Sequence, residues 1–317
     1  MGRTKRDREI FMTSSNQMSH PTTPADPTTG FSVTEWTVPA GARQRMALVS
    51  VPDAQTPPDG WPLVLAFHGG RSHPDMMRRF SGLDILAATG RAIVVYPAGT
   101  GTRESMLTWN GGNCCGEARD GQSDDVGFVR ELLAALSARL PIDPARIHAT
   151  GMSNGAMMAY RVGAELADQI ASIAPVAGPL ALETISLSRP VPLIHFHGSL
   201  DQFTPLEGGV GRRSVTRTHH RAILAGLLEW VRAGGGSEGA EKVPLPCTDA
   251  TMTIERWEWG SAAAGNEVVW YRIEGAGHTW PGRVPDSFYL GSSALSLPAN
   301  EIIWDFFAAH PLPAEAG

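Results

Sequence analysis

The sequence predicts an α/β fold, with a mostly parallel central sheet and helices on both faces. Three observations carry that reading. Short continuous apolar runs at residues 63–67 and 92–96 suit strands buried on both faces. Segments of helical periodicity separate such runs, so strand and helix alternate along the chain. A glycine-flanked serine, Gly151-Met152-Ser153-Asn154-Gly155, joins a strand to a helix.

Taken in order, residues 31–51 read as a strand-like segment followed by a strand at 47–51. A Pro- and Asp-rich turn cluster then leads into the strand at 63–67. Residues 74–89 suit one helix, with Gly90 at its C-terminal cap. A strand at 92–96 is stopped by Pro97, and residues 100–123 form a long glycine-rich loop. Ser123, Asp124 and Asp125 supply an N-cap and first-turn carboxylates for a helix through about residue 140. There follow a strand at 146–152, a helix at 154–166, and strands at 170–176 and 191–197. A long amphipathic helix at 214–233, strands at 251–259 and 267–273, and a closing helix at 302–309 complete the pattern. The expected organisation is one catalytic domain over residues 31–317. Residues 1–30, rich in Ser, Thr, Pro and Asp, read as a disordered extension with little to bury.

Composition removes several function classes. The 317 residues, 42% of them hydrophobic, are enough for one large core or two modest ones. Lys and Arg number 26 against 32 Asp and Glu, a net charge of −6, so neither nucleic acid nor an anionic membrane is an expected partner. No apolar run approaches the roughly 18 residues of a membrane helix. Three cysteines are too few for a disulfide scaffold and lack the spacing of a four-cysteine zinc site. No metal or cofactor is expected, because Asp124 and Asp125 read as helix-capping residues without further ligands nearby. The basic start is followed only by Ile10-Phe11-Met12, too short for the apolar core of an export signal, which leaves a cytoplasmic location open.

The chemistry centres on Ser153. A G-x-S-x-G step between strand and helix lifts a serine hydroxyl above the sheet edge, and the glycines clear space for the sharp turn. The plain alternative is an ordinary strand–helix turn. A serine hydroxyl needs a histidine base and an acid to orient that base, in the chain order serine, acid, histidine. His278, in a Gly-flanked loop after a late strand, is the candidate base. Asp201, after the strand ending in His197-Gly198, is the candidate acid; Asp249 and Asp286 are rivals, the first in a polar loop and the second after the histidine. One oxyanion-stabilising amide is expected from Asn154. The other is expected from His68-Gly69-Gly70-Arg71, where spacing does not decide between Gly70 and Arg71. His68 itself reads as a structural loop residue. Trp109 and Trp280 fall in loops expected to border the site, where their rings could stack on substrate.

The stretches LVLAFHGG, VVYPAGTG, TWNGGNCCG, DDVGFVRELL, RIHATGMSNGAMMAY, HFHGSLDQFTP and EGAGHTWPG span most of residues 60–282. In this order they resemble the poly(3-hydroxybutyrate) depolymerase and feruloyl-esterase-like branch of the α/β hydrolases. The resemblance implies the α/β-hydrolase fold, a Ser153–Asp201–His278 triad without cofactor, and an extracellular or periplasmic enzyme acting on oligomeric or polymeric esters. Hydroxyalkanoate oligoesters are the first expectation. Feruloyl or acetyl groups on plant polysaccharide and oxidised poly(vinyl alcohol) are alternatives, and a non-catalytic glycan- or polymer-binding protein is a distant one. The resemblance also places the Cys114-Cys115 loop beside the site. Pairing with Cys247, pairing with each other, and free thiols all stay open.

Overall fold

Six parallel strands occupy the middle of a ten-stranded sheet in the computed structural model, which describes residues 30–313 apart from 42 and 250. All but the last residue of the expected N-terminal extension lies outside the described residues. The strands are β1 (Phe31–Ala40), β2 (Arg43–Pro52), β3 (Trp61–Phe67), β4 (Ile93–Pro97), β5 (Ile142–Met152), β6 (Ser172–Val176), β7 (Leu193–Gly198), β8 (Glu241–Leu245), β9 (Thr253–Trp259) and β10 (Val268–Glu274). Their spatial order is β1-β2-β4-β3-β5-β6-β7-β10-β9-β8. Strands β4 through β10 pair in parallel, while β1 and β2 flank one edge and β9 and β8 the other in antiparallel register. This is the mostly parallel α/β-hydrolase arrangement expected.

The side-chain period of two explains the layers. In β3, Leu63, Leu65 and Phe67 face one core and Val64 and Ala66 the other. Helices α4 (Asp125–Ser137), α5 (Asn154–Glu165) and α6 (Ile223–Ala233) cover the first face through Phe128, Met158, Leu227 and Trp230. Helices α1 (Pro74–Ser81), α2 (Asp84–Ala88) and α7 (Ala299–Ala309) cover the second through Met77, Leu86 and Phe307. A short α3 (Gly116–Asp120) sits in the loop expected over 100–123.

Two helices differ from expectation. The helix expected over 74–89 is two helices, because Gly82 adopts a left-handed conformation (φ 63°) and closes α1. The helix expected over 214–233 begins only at Ile223. Residues 209 and 220 instead pair as an antiparallel bridge, and the apolar period that packs on the sheet starts with Ile223, Leu227 and Trp230. Strand β8, edge-bound and largely exposed, carries no apolar pattern and escaped the sequence reading.

Between β3 and β5 the chain reverses its direction of sheet growth, since β4 lies on one side of β3 and β5 on the other. Such a switch point opens a crevice at the carboxyl ends of the strands. The loops after β3 and β5 carry His68–Gly70 and Ser153.

Candidate active site

Ser153 is held at φ 58° and ψ −119°, a region that residues with a Cβ rarely adopt. The turn is enforced on every side. A Cβ on Gly151 would lie 2.4 Å from the Gly155 carbonyl oxygen, and one on Gly155 would lie 2.1 Å from that of Phe67. Only glycine lets α5 leave β5 this tightly against β3. Ser153 occupies the N-cap position, where serine hydroxyls usually accept a bond from the helix amides, yet its side chain makes no capping bond. Its amide donates to the Val176 carbonyl at 2.9 Å.

The β3 loop lies directly against this turn. A Cβ on Gly69 would sit 3.6 Å from Ser153 Cβ, and one on Gly70 would sit 3.5 Å from Asn154 Cβ. Asn154 opens α5, so its backbone N–H has no intrahelical partner. Arg71 donates its amide to the Leu107 carbonyl at 2.7 Å, which removes it from the two candidate oxyanion donors and leaves Gly70.

Asp201 and His278, the candidate acid and base, meet each other directly. His278 Nδ1 donates to Asp201 Oδ2 at 2.7 Å, and both residues are buried. Asp201 Oδ1 accepts the amides of Phe203 and Thr204 at 2.8 and 2.9 Å, and Oδ2 also accepts the Thr204 hydroxyl at 2.9 Å. Burial opposes ionisation of Asp201, but His278, His197 and the Thr204 amide outweigh it and hold the carboxyl down to about 2. With its Nδ1 proton engaged, His278 keeps Nε2 as the basic nitrogen. Phe203 packs its ring 4.8 Å from the imidazole. The His278 amide donates to the Leu290 carbonyl, and a Cβ on Gly198 would lie 2.5 Å from the Gly277 carbonyl oxygen, so the loops carrying Asp201 and His278 are packed backbone to backbone.

No protein-family model matches the chain. Among curated proteins it is 30% identical over 258 residues to "Putative esterase NocK" of Nocardia uniformis subsp. tsuyamanensis, covering 77% of this chain and 73% of that one. The chain belongs to the poly(3-hydroxybutyrate) depolymerase and feruloyl-esterase-like family of α/β hydrolases. It is a carboxylic ester hydrolase. The esterase is also 31% identical over 243 residues to feruloyl esterase B of Piromyces equi, covering 74% of this chain but 42% of that protein. Over 127 residues it is 31% identical to poly(3-hydroxyalkanoate) depolymerase C of Paucimonas lemoignei, 38% of this chain and 28% of that one. Its fold matches acetyl xylan esterase from Aspergillus awamori with a TM-score of 0.60 at 15% identity, over 87% of this chain and 99% of that structure.

Two expected substrate contacts of the esterase are corrected. Trp109 is 0% exposed, edge-on to Phe67 at 5.1 Å and donating Nε1–H to the His68 carbonyl. It holds the loop rather than meeting substrate: the Asn154 side chain clamps its backbone N–H and carbonyl at 2.7 and 2.9 Å. Trp280 is likewise 0% exposed, in the core with Phe307, its Nε1 donating to Asn300. Both rings were too close to the site in sequence for loop position alone to reveal their burial.

The other histidines divide by their partners. His68 Nδ1 donates to the Gly69 carbonyl and Nε2 accepts the Gly99 amide; burial brings its pKa down to about 4. His148 lies 2.9 Å from Ser172 Oγ, but this pair is enclosed in the sheet, stacked on Phe307, with no carboxylate among the described residues bonded to the ring. It lacks both the acid and the access that acyl transfer needs. Asp286 is exposed and Asp249 bonds Ser296; the carboxylate bonded to His278 is that of Asp201. Cys114 and Cys115 are paired with each other and pack against Met157 of α5, while Cys247 is free; the pairing with Cys247 is thereby excluded.

The sequence reading missed a buried chain behind Asp201. The Thr204 carbonyl can only accept, so His197 Nε2, 2.8 Å away, carries the proton. His197 Nδ1 then accepts from His195 Nε2 at 3.2 Å, and His195 Nδ1 accepts the Tyr160 hydroxyl at 3.1 Å. Every tautomer is set by one terminal carbonyl. Burial pushes both imidazoles below their ordinary value, so the chain stays neutral. The signal was present as His-x-His on one face of β7.

Proposed function

We propose that this esterase cleaves carboxylic esters through a serine acyl-enzyme, with Ser153 as nucleophile, His278 as base and Asp201 as its orienting acid. The observation that carries the proposal is Ser153 itself, held at positive φ with its hydroxyl withheld from the helix cap. His278 Nε2 takes the Ser153 proton as Oγ attacks the ester carbonyl. The tetrahedral oxyanion receives the amides of Asn154 and Gly70 at the start of α5. Collapse expels the alcohol, which takes the proton from His278. Water, deprotonated by the same nitrogen, attacks the acyl-enzyme and regenerates the serine.

The substrate reading is a soluble hydroxyalkanoate oligoester, in keeping with the identity to the poly(3-hydroxyalkanoate) depolymerase. Feruloyl esters are the second reading, favoured by the exposed, closely packed Phe288–Tyr289 ring pair on the segment that carries the His278 backbone. Hydrolysis of 4-nitrophenyl butyrate tests the chemistry. Ser153→Ala is expected to lower kcat by about 10⁵ or more; activity equal to the parent protein would refute the assignment. Comparing 3-hydroxybutyrate oligomers with methyl ferulate separates the two substrates.

A further inference from the structure

The segment joining β7 to α6 carries charge that ester cleavage leaves unused. Residues 208–228 hold four arginines and no Asp or Glu, in a chain whose net charge is −6. Arg221 is paired with Glu229. Arg212, Arg213 and Arg217 are exposed and, among the described residues, form no ion pair. Two backbone hydrogen bonds between Gly209 and His220 close the loop at its base.

Arg213 ties this loop to both halves of the acid–base pair. Its amide donates to the Gln202 carbonyl and its Nε to Gln202 Oε1, each at 2.9 Å, and Gln202 directly follows Asp201. Its guanidinium carbon lies 4.8 Å from the centre of the Tyr289 ring, and the neighbouring Leu290 carbonyl accepts the His278 amide. The guanidinium therefore stands at the rim of the site, not on a remote face. The Tyr289 ring it covers packs on Phe288, and both are exposed (52% and 79%); Leu200, directly before Asp201, is 61% exposed. Guanidinium groups without a carboxylate partner beside exposed apolar surface suit a ligand with an apolar body and a carboxylate end.

We propose that Arg212, Arg213 and Arg217 form an anion-binding rim that selects esters ending in a free carboxylate, with Leu200, Phe288 and Tyr289 receiving the apolar part. The inference rests on the esterase site described under the proposed function. A short hydroxyalkanoate oligoester has this chemistry, since the alcohol released from its acid end carries the carboxylate.

The test compares the 3-hydroxybutyrate dimer as free acid and as methyl ester, which differ in one charge, and follows cleavage of their shared internal ester, read for the methyl ester as release of methyl 3-hydroxybutyrate rather than of methanol. The parent enzyme is expected to favour the acid by about tenfold in kcat/KM at low salt, and 0.5 M NaCl is expected to erode that ratio. The triple variant Arg212→Gln, Arg213→Gln, Arg217→Gln is expected to bring the ratio close to one. Arg232→Gln, which removes one charge at the other end of α6, is expected to keep it. Equal kcat/KM for acid and methyl ester in the parent enzyme would overturn the rim, as would a ratio that survives the triple variant. No cleavage of either dimer by an enzyme that turns over 4-nitrophenyl butyrate would also overturn it and leave the serine chemistry standing. No turnover of the butyrate would remove both.

Discussion

Asp201 accepts four hydrogen bonds, and in the proposed mechanism the one from His278 is the bond on which catalysis turns. Asp201→Asn keeps a side chain of the same shape but offers an amide where the imidazole needs a carboxylate, so the wrong histidine tautomer becomes favoured. The expected result is a fall in kcat of about four orders of magnitude with the melting temperature little changed; a loss below tenfold would place the orienting acid elsewhere. At this scale the sequence was most informative where a motif fixes local geometry. The Gly-flanked turn at Ser153 and the pairing of His278 with Asp201, both after late strands, are of this kind. Burial of Trp109 and Trp280 depends on tertiary neighbours, Phe67 and Asn300, that lie 42 and 20 positions away in the chain. No local pattern encodes it. The choice between Gly70 and Arg71 likewise depended on a remote carbonyl, that of Leu107.

Strands and helices position these groups through packing that runs well behind the crevice. The chain from Tyr160 on α5 through His195 and His197 on β7 ends at Thr204, whose amide and hydroxyl hold Asp201. Tyr160→Phe removes the only proton that can satisfy His195 Nδ1 in this chain. An unsatisfied buried acceptor costs about 1–3 kcal/mol, so the urea midpoint is expected to fall by that equivalent. If the chain also positions Asp201, kcat is expected to drop several-fold with KM unchanged. Unchanged stability and unchanged kcat would mean the chain bears on neither. Among the elements, the parallel strands were legible as apolar runs, and α5 as a helix following an elbow. The start of α6 was not, because residues 214–222 hold no Gly or Pro to mark a break, while the Gly209–His220 bridge keeps the chain out of the helix there. Gly82 broke the first predicted helix for a backbone reason that periodicity does not register.

For the whole molecule, acid is the condition that bears on the fold. His68 and His148 are buried neutral, with pKa values brought down to about 4 and about 3 by burial. The unfolded chain, with imidazoles near 6.5, binds protons that the folded chain refuses, so stability is complete above about pH 7 and falls as pH drops below 6.5. Each group removes up to about 1.4 kcal/mol per pH unit once the pH is well below 6.5. The two together lower the unfolding free energy by roughly 2 kcal/mol between pH 6 and pH 5. Asp201 works in the same direction at lower pH: its depressed carboxyl stabilises the fold above about pH 4 and loses that contribution as pH falls towards 2. Urea unfolding at pH 7.5, 6 and 5 is expected to show a steady fall in midpoint below pH 6.5; a midpoint unchanged across that range would contradict neutral burial of these rings. The central claim, that one serine at the β5–α5 turn is the activated nucleophile, is tested most directly by reacting the protein with a fluorophosphonate and mapping the adduct by peptide mass. The expected result is one adduct per chain, on Ser153, lost in Ser153→Ala and strongly slowed in His278→Ala. A label on another residue, or full labelling of the Ser153→Ala protein, would contradict it.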